Sequence, residues 1–337
     1  MNLAAYVGKR VLFLPLGLLA VMVLSFLLVN ILPGNPVGII TGPAASVEQL
    51  DETTRRLGLD QPLLQRFQTY FSALVGGDLG NSFYTNRPIL DEILRFLPAT
   101  LELVILSLIF AAVLGISLGA VGAYYKGRTA DSVSRFTVTV FQAIPDFFLG
   151  LLLIYFLFFQ FGLLPAPVGQ LGILDSAPPR VTGAYLIDSL IAGDTAIFWS
   201  AAAHAVLPVL TLGIYYSSYF ARTTHSALSA SLESKQVEFA RACGLHETKV
   251  LGYAFRQART PILTYGGILL AALLGGAAIV ETVFSWNGFG SWAIESILKL
   301  DLPAVQGFIL FSGMGTLIVF TILDIVVAIL DPRVRYD

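Results

Sequence analysis

Residues 103–125 read LVILSLIFAAVLGISLGAVGAYY, a run with no Asp, Glu, Lys or Arg. A helix crosses the hydrocarbon core of a bilayer with about 20 apolar residues, so this run predicts a transmembrane helix. Five more uncharged runs, each long enough to span a bilayer, occupy residues 11–47, 147–174, 195–221, 260–280 and 302–323. The chain is 56% hydrophobic and 12% charged, about half the charged share of a soluble domain. This composition excludes an ordinary soluble globular protein.

The six runs predict an all-α polytopic membrane protein with six transmembrane helices. We place these helices near residues 11–31, 103–125, 136–162, 201–221, 262–281 and 305–330. The first run follows Lys9 and Arg10, as the apolar part of a signal peptide does. It is too long for that part, however, and no A-x-A cleavage site follows it. We therefore expect the first helix to remain in the membrane.

The basic residues predict the orientation of the chain. An even number of spans places both termini on one side, and the Lys and Arg residues split 13 to 7 between the two sets of connecting segments. Five of those seven lie in the long segment 32–101, and long translocated segments count little in the positive-inside rule. Both termini are therefore predicted to be cytoplasmic. The chain then divides into a cytoplasmic N-terminus at 1–10, transmembrane helix 1 at 11–31, an external cap segment at 32–102, a core of five transmembrane helices at 103–330 and a cytoplasmic tail at 331–337. The core contains a cytoplasmic loop at 222–261.

The two external segments carry their own patterns. In the first, an amphipathic stretch at 48–74 has apolar residues at helical spacing, which predicts a small folded cap. The second, 163–200, is rich in Pro and Gly and then has an apolar patch at 185–191. That patch predicts a short helix at the membrane surface.

Small residues predict close helix packing within the membrane. Gly115 and Gly119 form a G-x-x-x-G pattern, and Gly267, Ala271 and Gly275 form a second stripe. Such stripes let two helix backbones approach closely. Packing within one chain and packing against a second membrane subunit both fit this pattern.

Several functional classes are disfavoured by the sequence. A formal net charge of −2 gives no basic surface for nucleic acid. The single cysteine, Cys243, and three well-separated histidines predict no metal site and no cofactor bound by this chain. No G-x-x-x-x-G-K-[ST], G-x-S-x-G or H-E-x-x-H motif occurs, so we expect neither an ATPase site nor another enzyme site.

The cytoplasmic loop 222–261 is far longer than a turn between two spans requires. Its composition predicts a helix over 221–242, a helix-ending Gly244 and a second helix over 247–259. Glu238 and Arg241 suit charged contacts with a soluble partner, and the neighbouring small residues allow close backbone approach. The alternative is a solvated loop of ordinary amphipathic helices.

The loop sequence Glu238-Phe-Ala-Arg-Ala-Cys-Gly244, followed by Arg256-Gln-Ala-Arg-Thr-Pro261, resembles the "EAA" loop of permease subunits of binding-protein-dependent ABC importers. The rest of the chain resembles the dipeptide/oligopeptide/nickel branch of that family. The matching pieces are Leu57-Gly-Leu-Asp-Gln-Pro-Leu63, Gly77-Asp-Leu-Gly-Asn-Ser82, Arg87-Pro88, Leu97-Pro-Ala-Thr-Leu-Glu-Leu103, Glu281-Thr-Val-Phe-Ser-Trp-Asn-Gly288 and Leu330-Asp-Pro-Arg-Val-Arg-Tyr336. They occur in the expected order over nearly the whole chain.

Three residues depart from the family pattern. Phe239 stands where the motif has its first Ala, Cys243 where the peptide branch often has Lys, and Gln257 where Asn is usual before the final Pro. These departures alter side chains on the expected contact surface but leave the motif recognisable.

The resemblance implies a type I ABC importer-like core in the cytoplasmic membrane of a prokaryote, working by alternating access. It implies as partners a second homologous permease subunit, two cytoplasmic ATPase subunits that hydrolyse ATP, and an external solute-binding protein. The loop would be the coupling helix that docks on an ATPase subunit. The implied docking residues are Glu238, Ala240, Arg241, Ala242 and Gly244. The substrate expected first is a di- or oligopeptide, with nickel chelates, glutathione or another small solute as alternatives.

A rival class is the ion-coupled secondary transporter, which needs ionisable groups inside the membrane bundle. Asp146 follows Pro145 well inside the predicted third span and is the candidate pathway residue. Glu102, Glu281 and Asp324 lie near predicted span ends, where water can reach them, so we expect structural or interfacial roles for these three residues. Trp199, Trp286 and Trp292 fall near external ends, as in an interfacial aromatic belt.

Overall fold

The computed structural model describes residues 3–31, 36–42 and 45–330. The predicted tail 331–337 lies outside the described residues, as do residues 1–2 of the predicted N-terminal segment and residues 32–35 and 43–44 of the predicted cap.

The described residues form α-helices connected by turns and loops, without a β-strand. The helices are α1 Leu3–Ile31, α2 Pro36–Thr41, α3 Val47–Arg56, α4 Leu63–Val75, α5 Ile89–Tyr124, α6 Thr129–Ala143, α7 Asp146–Leu153, α8 Tyr185–Ala192, α9 Thr195–Leu232, α10 Lys235–Ala242, α11 Glu247–Gly276, α12 Ala278–Val283, α13 Phe289–Leu298 and α14 Leu302–Leu330. A π-helical segment, Ile154–Gln160, continues α7. The predicted all-α class is confirmed.

Five helices are long and apolar enough to cross a membrane, and a bent pair makes a sixth candidate. The five are Leu12–Asn30 within α1, Ile89–Tyr124, Thr195–Leu232, Glu247–Gly276 and Leu302–Leu330. The bent pair joins Thr129–Ala143 to Asp146–Gln160 at an angle of 97°. All six predicted spans therefore correspond to helical segments among the described residues.

The third predicted span, 136–162, is wrong as a single helix. α6 ends at Ala143 because Ile144, which precedes Pro145, has extended backbone angles (φ −90°, ψ 121°). Proline disfavours the helical conformation in the residue before it. The same proline then occupies the N-cap position of α7. Asp146 consequently begins a new helix and is not in the middle of a continuous one.

Helices α5 and α9 form the closest pair in the core. A Cβ atom at Gly115 would collide with the backbone oxygen of Ser217, and one at Gly119 with the backbone oxygen of Ala221. Only glycine permits this approach. The G-x-x-x-G pattern therefore serves packing within the chain. In the second stripe, Gly267 faces the end of the Leu323 side chain of α14, a contact with a side chain and not with the backbone.

The N-terminal helices attach to the core along α14. Arg10 of α1 forms an ion pair with Asp324 of α14 at 3.1 Å, which gives Asp324 a structural partner. Phe26, near the end of α1, packs against Phe67 and Tyr70 of α4, with ring centroids 5.2 and 5.8 Å away. The amphipathic stretch 48–74 thus forms α3 and most of α4, as its periodicity predicts.

Two carboxylates predicted to meet water are instead buried. Glu281 is 0% exposed and accepts hydrogen bonds from Thr100 Oγ1 at 2.5 Å and Ser291 N at 2.8 Å. Glu102 is also buried and accepts one from Leu186 N at 2.9 Å. The short helices α8, α12 and α13 supply or adjoin these donors. The expected water access is wrong, because distance from a span end in sequence does not show which segments fold over it, whereas the hydrogen bonds agree with the expected structural role.

The three tryptophans also differ in their exposure to solvent. Trp199 is 70% exposed, as expected of an interfacial residue, but Trp286 and Trp292 are 1% and 7% exposed. Trp286 Nε1 donates to the Ala99 backbone oxygen at 2.9 Å. The aromatic-belt interpretation is therefore wrong for these two residues, which belong to the packed core.

Candidate functional site: the segment between α9 and α11

α10 is a short helix with defined ends between two long candidate spans. Ser234 is its N-cap and accepts from Val237 N at 3.4 Å. At the other end, Gly244 N donates to Arg241 O at 2.9 Å and Leu245 N to Ala240 O at 3.2 Å. This pair of bonds is the Schellman pattern, which requires a left-handed residue after the helix. Gly244 supplies it with φ +74°.

The predicted glycine break and the second helix are therefore confirmed, but the first helix over 221–242 is not one continuous helix. The prediction missed one further break. The first helix does not run unbroken over 221–242, because α9 ends at Leu232 and α10 starts at Lys235. Ser234, a strong N-cap residue, was the sequence signal for that break.

One face of α10 fixes it to the rest of the chain. Val237 and Ala240 are buried and belong to the same apolar core as Leu228 of α9 and Val250 and Ala254 of α11. The opposite face is open: Glu238, Arg241, Ala242 and Gly244 are all exposed. Four of the five predicted docking residues thus lie on the surface, and Ala240 lies beneath them.

A groove of about 470 Å³ separates α10 from the start of α11. Phe239, Ala240, Cys243, Leu245, Tyr253 and Arg256 contribute to its lining, with Gln236 and Gln257. Phe239 is 70% exposed and Tyr253 51% exposed, so two aromatic rings are open to solvent. Sequence reasoning treated Phe239 and Cys243 only as departures from a motif. Their apolar character beside Tyr253 was the missed signal for this groove.

The charges on this surface differ in how far they are paired. Arg241 Nε lies 3.1 Å from Glu247 Oε1 at the start of α11, and both side chains are about half exposed. Glu238 makes no ion pair with any residue that the structure describes. α10 therefore presents one unpaired carboxylate beside an apolar groove.

Asp146 lies apart from this segment, at the N-terminus of α7. Its Oδ1 accepts from Phe147 N at 2.7 Å. The side chain is half-buried and within electrostatic reach of Tyr215 and Tyr216 on α9. Tyr215 also contacts Tyr219, with 3.1 Å between their hydroxyl oxygens. The break in the bent span thus places a carboxylate within electrostatic reach of two tyrosines of α9.

Comparison with known proteins decides the family. Residues 111–336 match the family model described as "Binding-protein-dependent transport system inner membrane component". Residues 3–104 match the model for the N-terminal part of such membrane components. The chain belongs to this family. It is a multi-pass inner-membrane permease with a type I importer-like core, and it works with a solute-binding protein and ATPase subunits.

Relatives align with the permease over nearly its full length. A probable D,D-dipeptide transport system permease protein of Escherichia coli K12, DdpB, is 38% identical over 93% of this chain and 92% of its own. The dipeptide transport system permease protein DppB of Alkalihalophilus pseudofirmus is 33% identical over 98% and 99%. The glutathione transport system permease protein GsiC of Escherichia coli O6:H1 is 34% identical over 98% and 99%. Membership of this family favours a binding-protein-dependent importer over an ion-coupled carrier.

Proposed function

We propose that this permease forms the translocation pathway for di- or oligopeptides that an external solute-binding protein delivers. The observation that carries the proposal is the full-length similarity to permeases named for dipeptide transport. The companion is a second, homologous permease, and two ATPase subunits bind on the cytoplasmic side. Both termini of the permease lie in the cytoplasm.

Glutathione is the second candidate substrate. A relative named for glutathione transport is 34% identical, which is as high as the identity to the dipeptide permease DppB of Alkalihalophilus pseudofirmus. Glutathione is itself a short peptide in chemical terms, with a free amino group, carboxylates and amide bonds. Substrate choice then rests mainly with the solute-binding protein, which selects among peptide-like solutes before they reach the permease.

The permease has no ATPase site and no bound cofactor in this proposal. The sequence lacks the G-x-x-x-x-G-K-[ST] loop that cradles nucleotide phosphates. ATP must therefore act through the partner subunits. Binding and hydrolysis shift transport only if they stabilise the inward-open and outward-open states differently.

α10 is the part of the chain best suited to transmit the effect of ATP from the ATPase subunits to the transmembrane helices. Its buried residue Val237 packs it against α9 and α11, which are both candidate spans. A displacement of α10 would therefore move the ends of two transmembrane helices together. Its outer face offers Glu238, exposed Phe239 and the groove to an ATPase subunit. A cation on that subunit would pair with Glu238, and an apolar side chain would fill the groove.

Asp146 is assigned to the pathway between the two permeases. A charged side chain facing lipid at membrane depth costs several kcal/mol, so such residues face a partner or a water-filled cavity. Asp146 is only half-buried and receives a hydrogen bond from its own neighbouring backbone N–H. Its open side therefore faces the companion subunit or the aqueous pathway.

Two variants of the coupling segment test the proposal. Glu238→Lys reverses the unpaired charge on α10. Gly244→Pro forbids the left-handed conformation, because proline fixes φ near −65°, and removes the N–H that bonds to Arg241. We expect both variants to insert into the membrane, to lose ATPase subunits on purification, and to lose at least about 90% of ATP-dependent dipeptide uptake in proteoliposomes that contain the binding protein.

The matched control is Glu48→Lys, the same charge reversal at an exposed residue of α3. It should retain its ATPase subunits. Unchanged uptake in both coupling variants would refute the assignment of α10. Uptake of glutathione but of no dipeptide by the wild-type transporter would replace the first substrate with the second.

A further inference from the structure

A second cavity lies at the end of the molecule where α1 finishes and α14 begins. Its volume is about 400 Å³. Phe26, Val29 and Asn30 of α1 form one side, and Leu302, Pro303 and Gln306 of α14 form another. These residues are at the ends of two candidate membrane spans. The cavity is therefore at the boundary between the membrane and water.

Three arginines from the N-terminal helices complete this cavity. Arg55 and Arg56 end α3, Arg66 lies in the first turn of α4, and no acidic residue contributes to the lining. None of the three takes part in an ion pair or side-chain hydrogen bond among the described residues. Helical spacing places Asp51 and Glu52 one turn before Arg55 and Arg56, but neither pair lies within ion-pair distance. Three arginines and no acidic residue thus line the cavity.

The position of Arg66 makes this concentration of charge unfavourable by itself. The first turn of a helix carries the positive end of the helix dipole, so a cation there is destabilising. Arg55 and Arg56, at the negative end of α3, gain from the dipole. The helix dipole therefore stabilises the charges of Arg55 and Arg56 and destabilises the charge of Arg66. A bound anion would compensate all three.

The remaining lining is apolar and aromatic. Phe26 and Val29 are buried, and the rings of Tyr70 and Phe83 also line the cavity. Burial raises the pKa of the Tyr70 phenol, and hydrogen bonds with the Ser25 and Gln306 side chains only partly oppose that rise, so Tyr70 remains a neutral group. The cavity therefore has a cationic part and an apolar part, side by side at the membrane boundary.

We propose that this cavity binds the phosphate group of an anionic membrane phospholipid. Arginine presents paired donors that match phosphate oxygens, and charge-assisted bonds of this kind are about twice as strong as neutral ones. The apolar lining suits the first carbons of the acyl chains. A bound lipid would join the helices α3 and α4 to the ends of α1 and α14. The site is separate from Asp146 and from α10, so it does not depend on the substrate or on ATPase docking.

Native mass spectrometry of the intact transporter tests the proposal. Phosphatidylglycerol, zwitterionic phosphatidylcholine and inorganic phosphate are each titrated onto delipidated protein. The test variant is Arg55→Gln with Arg66→Gln. The control is Arg87→Gln with Arg128→Gln, two exposed arginines outside the cavity. We expect the test variant to bind phosphatidylglycerol about tenfold more weakly than wild type, since two charge-assisted contacts are lost, and the control to bind it unchanged.

A single substitution covers the case in which the double variant does not assemble. Arg66→Lys keeps the charge but loses the paired donors, and should weaken phosphatidylglycerol binding about threefold. Equal binding of phosphatidylglycerol by the test variant, the control and wild type would overturn the proposal. Wild-type protein that binds phosphatidylcholine as tightly as phosphatidylglycerol would also overturn the proposal. Competition by inorganic phosphate at the same concentration as the lipid would overturn it as well, and would indicate a site for free phosphate. Loss of solute-binding-protein docking without loss of lipid would instead make the arginines a protein contact.

Discussion

The coupling segment around α10 and the turn between α12 and α13 use charged residues in opposite ways. Glu238 on α10 is exposed and unpaired among the described residues. Glu281 on α12 is fully buried, and its carboxylate oxygens accept from Thr100 and Ser291. Glu238 lies within the charged loop 222–261 and Glu281 directly follows the uncharged run 260–280, and the sequence alone shows no partner for either carboxylate. What separates them is whether the same chain supplies their partners.

This difference distinguishes residues that hold the fold together from residues that are available to bind another protein. Around α12 and α13, buried Trp286 bonds to Ala99, and Asp301 accepts from Ser82 and from Phe83 N. Every one of these groups is satisfied within the chain. α10 packs against the rest of the chain only through its inner face. The Glu238 carboxylate and the adjacent groove stay exposed. A surface that has an unpaired charge beside an exposed apolar groove is where a second protein is expected to bind.

The largest effect should come from Glu281→Ala. The change leaves Thr100 Oγ1 and Ser291 N without a partner inside the core and opens a cavity in place of a fully buried side chain. A buried donor left without a partner costs about 1 to 3 kcal/mol, and two donors are affected here. We expect little folded protein after detergent extraction. Size-exclusion chromatography and thermal unfolding in detergent would measure the loss.

The matched control is Glu238→Ala, the same substitution on exposed α10. It should leave the unfolding temperature unchanged within about one degree, since surface substitutions are usually near neutral. If the two variants unfold at the same temperature, the contrast between the two regions is wrong.

A smaller, pH-dependent effect is expected at Asp188, another buried carboxylate. Burial would raise its pKa, but hydrogen bonds from the backbone and side chain of Thr182 and from Gly183 N and Val181 N hold the pKa below the ordinary value of 3.8. A carboxylate with a lowered folded pKa adds stability above its unfolded pKa and loses it as the pH falls through the folded pKa. Asp188→Asn should therefore unfold at a lower temperature than wild type at pH 7, and the difference should shrink below about pH 4.

Asp194→Asn is the control for this titration. Asp194 is exposed and accepts from Ile197 N as the N-cap of α9, a position where Asn caps nearly as well as Asp. Its unfolding temperature should stay close to that of wild type at both pH values. A difference between Asp188→Asn and wild type that stays constant from pH 7 to below pH 4 would show that Asp188 acts through packing and not through its charge.

The sequence predicted the fold class well because its strongest signals are local. Uncharged runs, Gly115 with Gly119, and Gly244 each act through backbone geometry or hydrophobicity that a linear pattern reveals. The break at Pro145 was equally local, and it was missed because the third span was placed at 136–162, across Pro145 and Asp146, without giving weight to the proline. The π-helical segment that follows had no evident signal in the sequence.

The misread residues depend on distant parts of the chain. Glu281 and Trp286 are buried because Thr100 and Ala99, far earlier in the sequence, meet them. No periodicity around residue 281 encodes that meeting. On α10, the pattern gave the exposed residues but not the groove, which forms only when Tyr253 of α11 folds beside Phe239.

Among the test variants, as distinct from the controls, the smallest effect on stability should come from Arg241→Gln. Its ion pair with Glu247 is half exposed, and pairs of this kind contribute about 0.5 kcal/mol or less. The control is Lys299→Gln, which breaks the partly exposed pair with Glu295 at the end of α13. Both variants should unfold within about two degrees of wild type. Only Arg241→Gln should reduce ATP-dependent uptake, because only Arg241 lies on the surface assigned to ATPase docking. Equal uptake in the two variants would remove Arg241 from that surface, and a markedly lower unfolding temperature for Arg241→Gln would place it with the internal architecture instead.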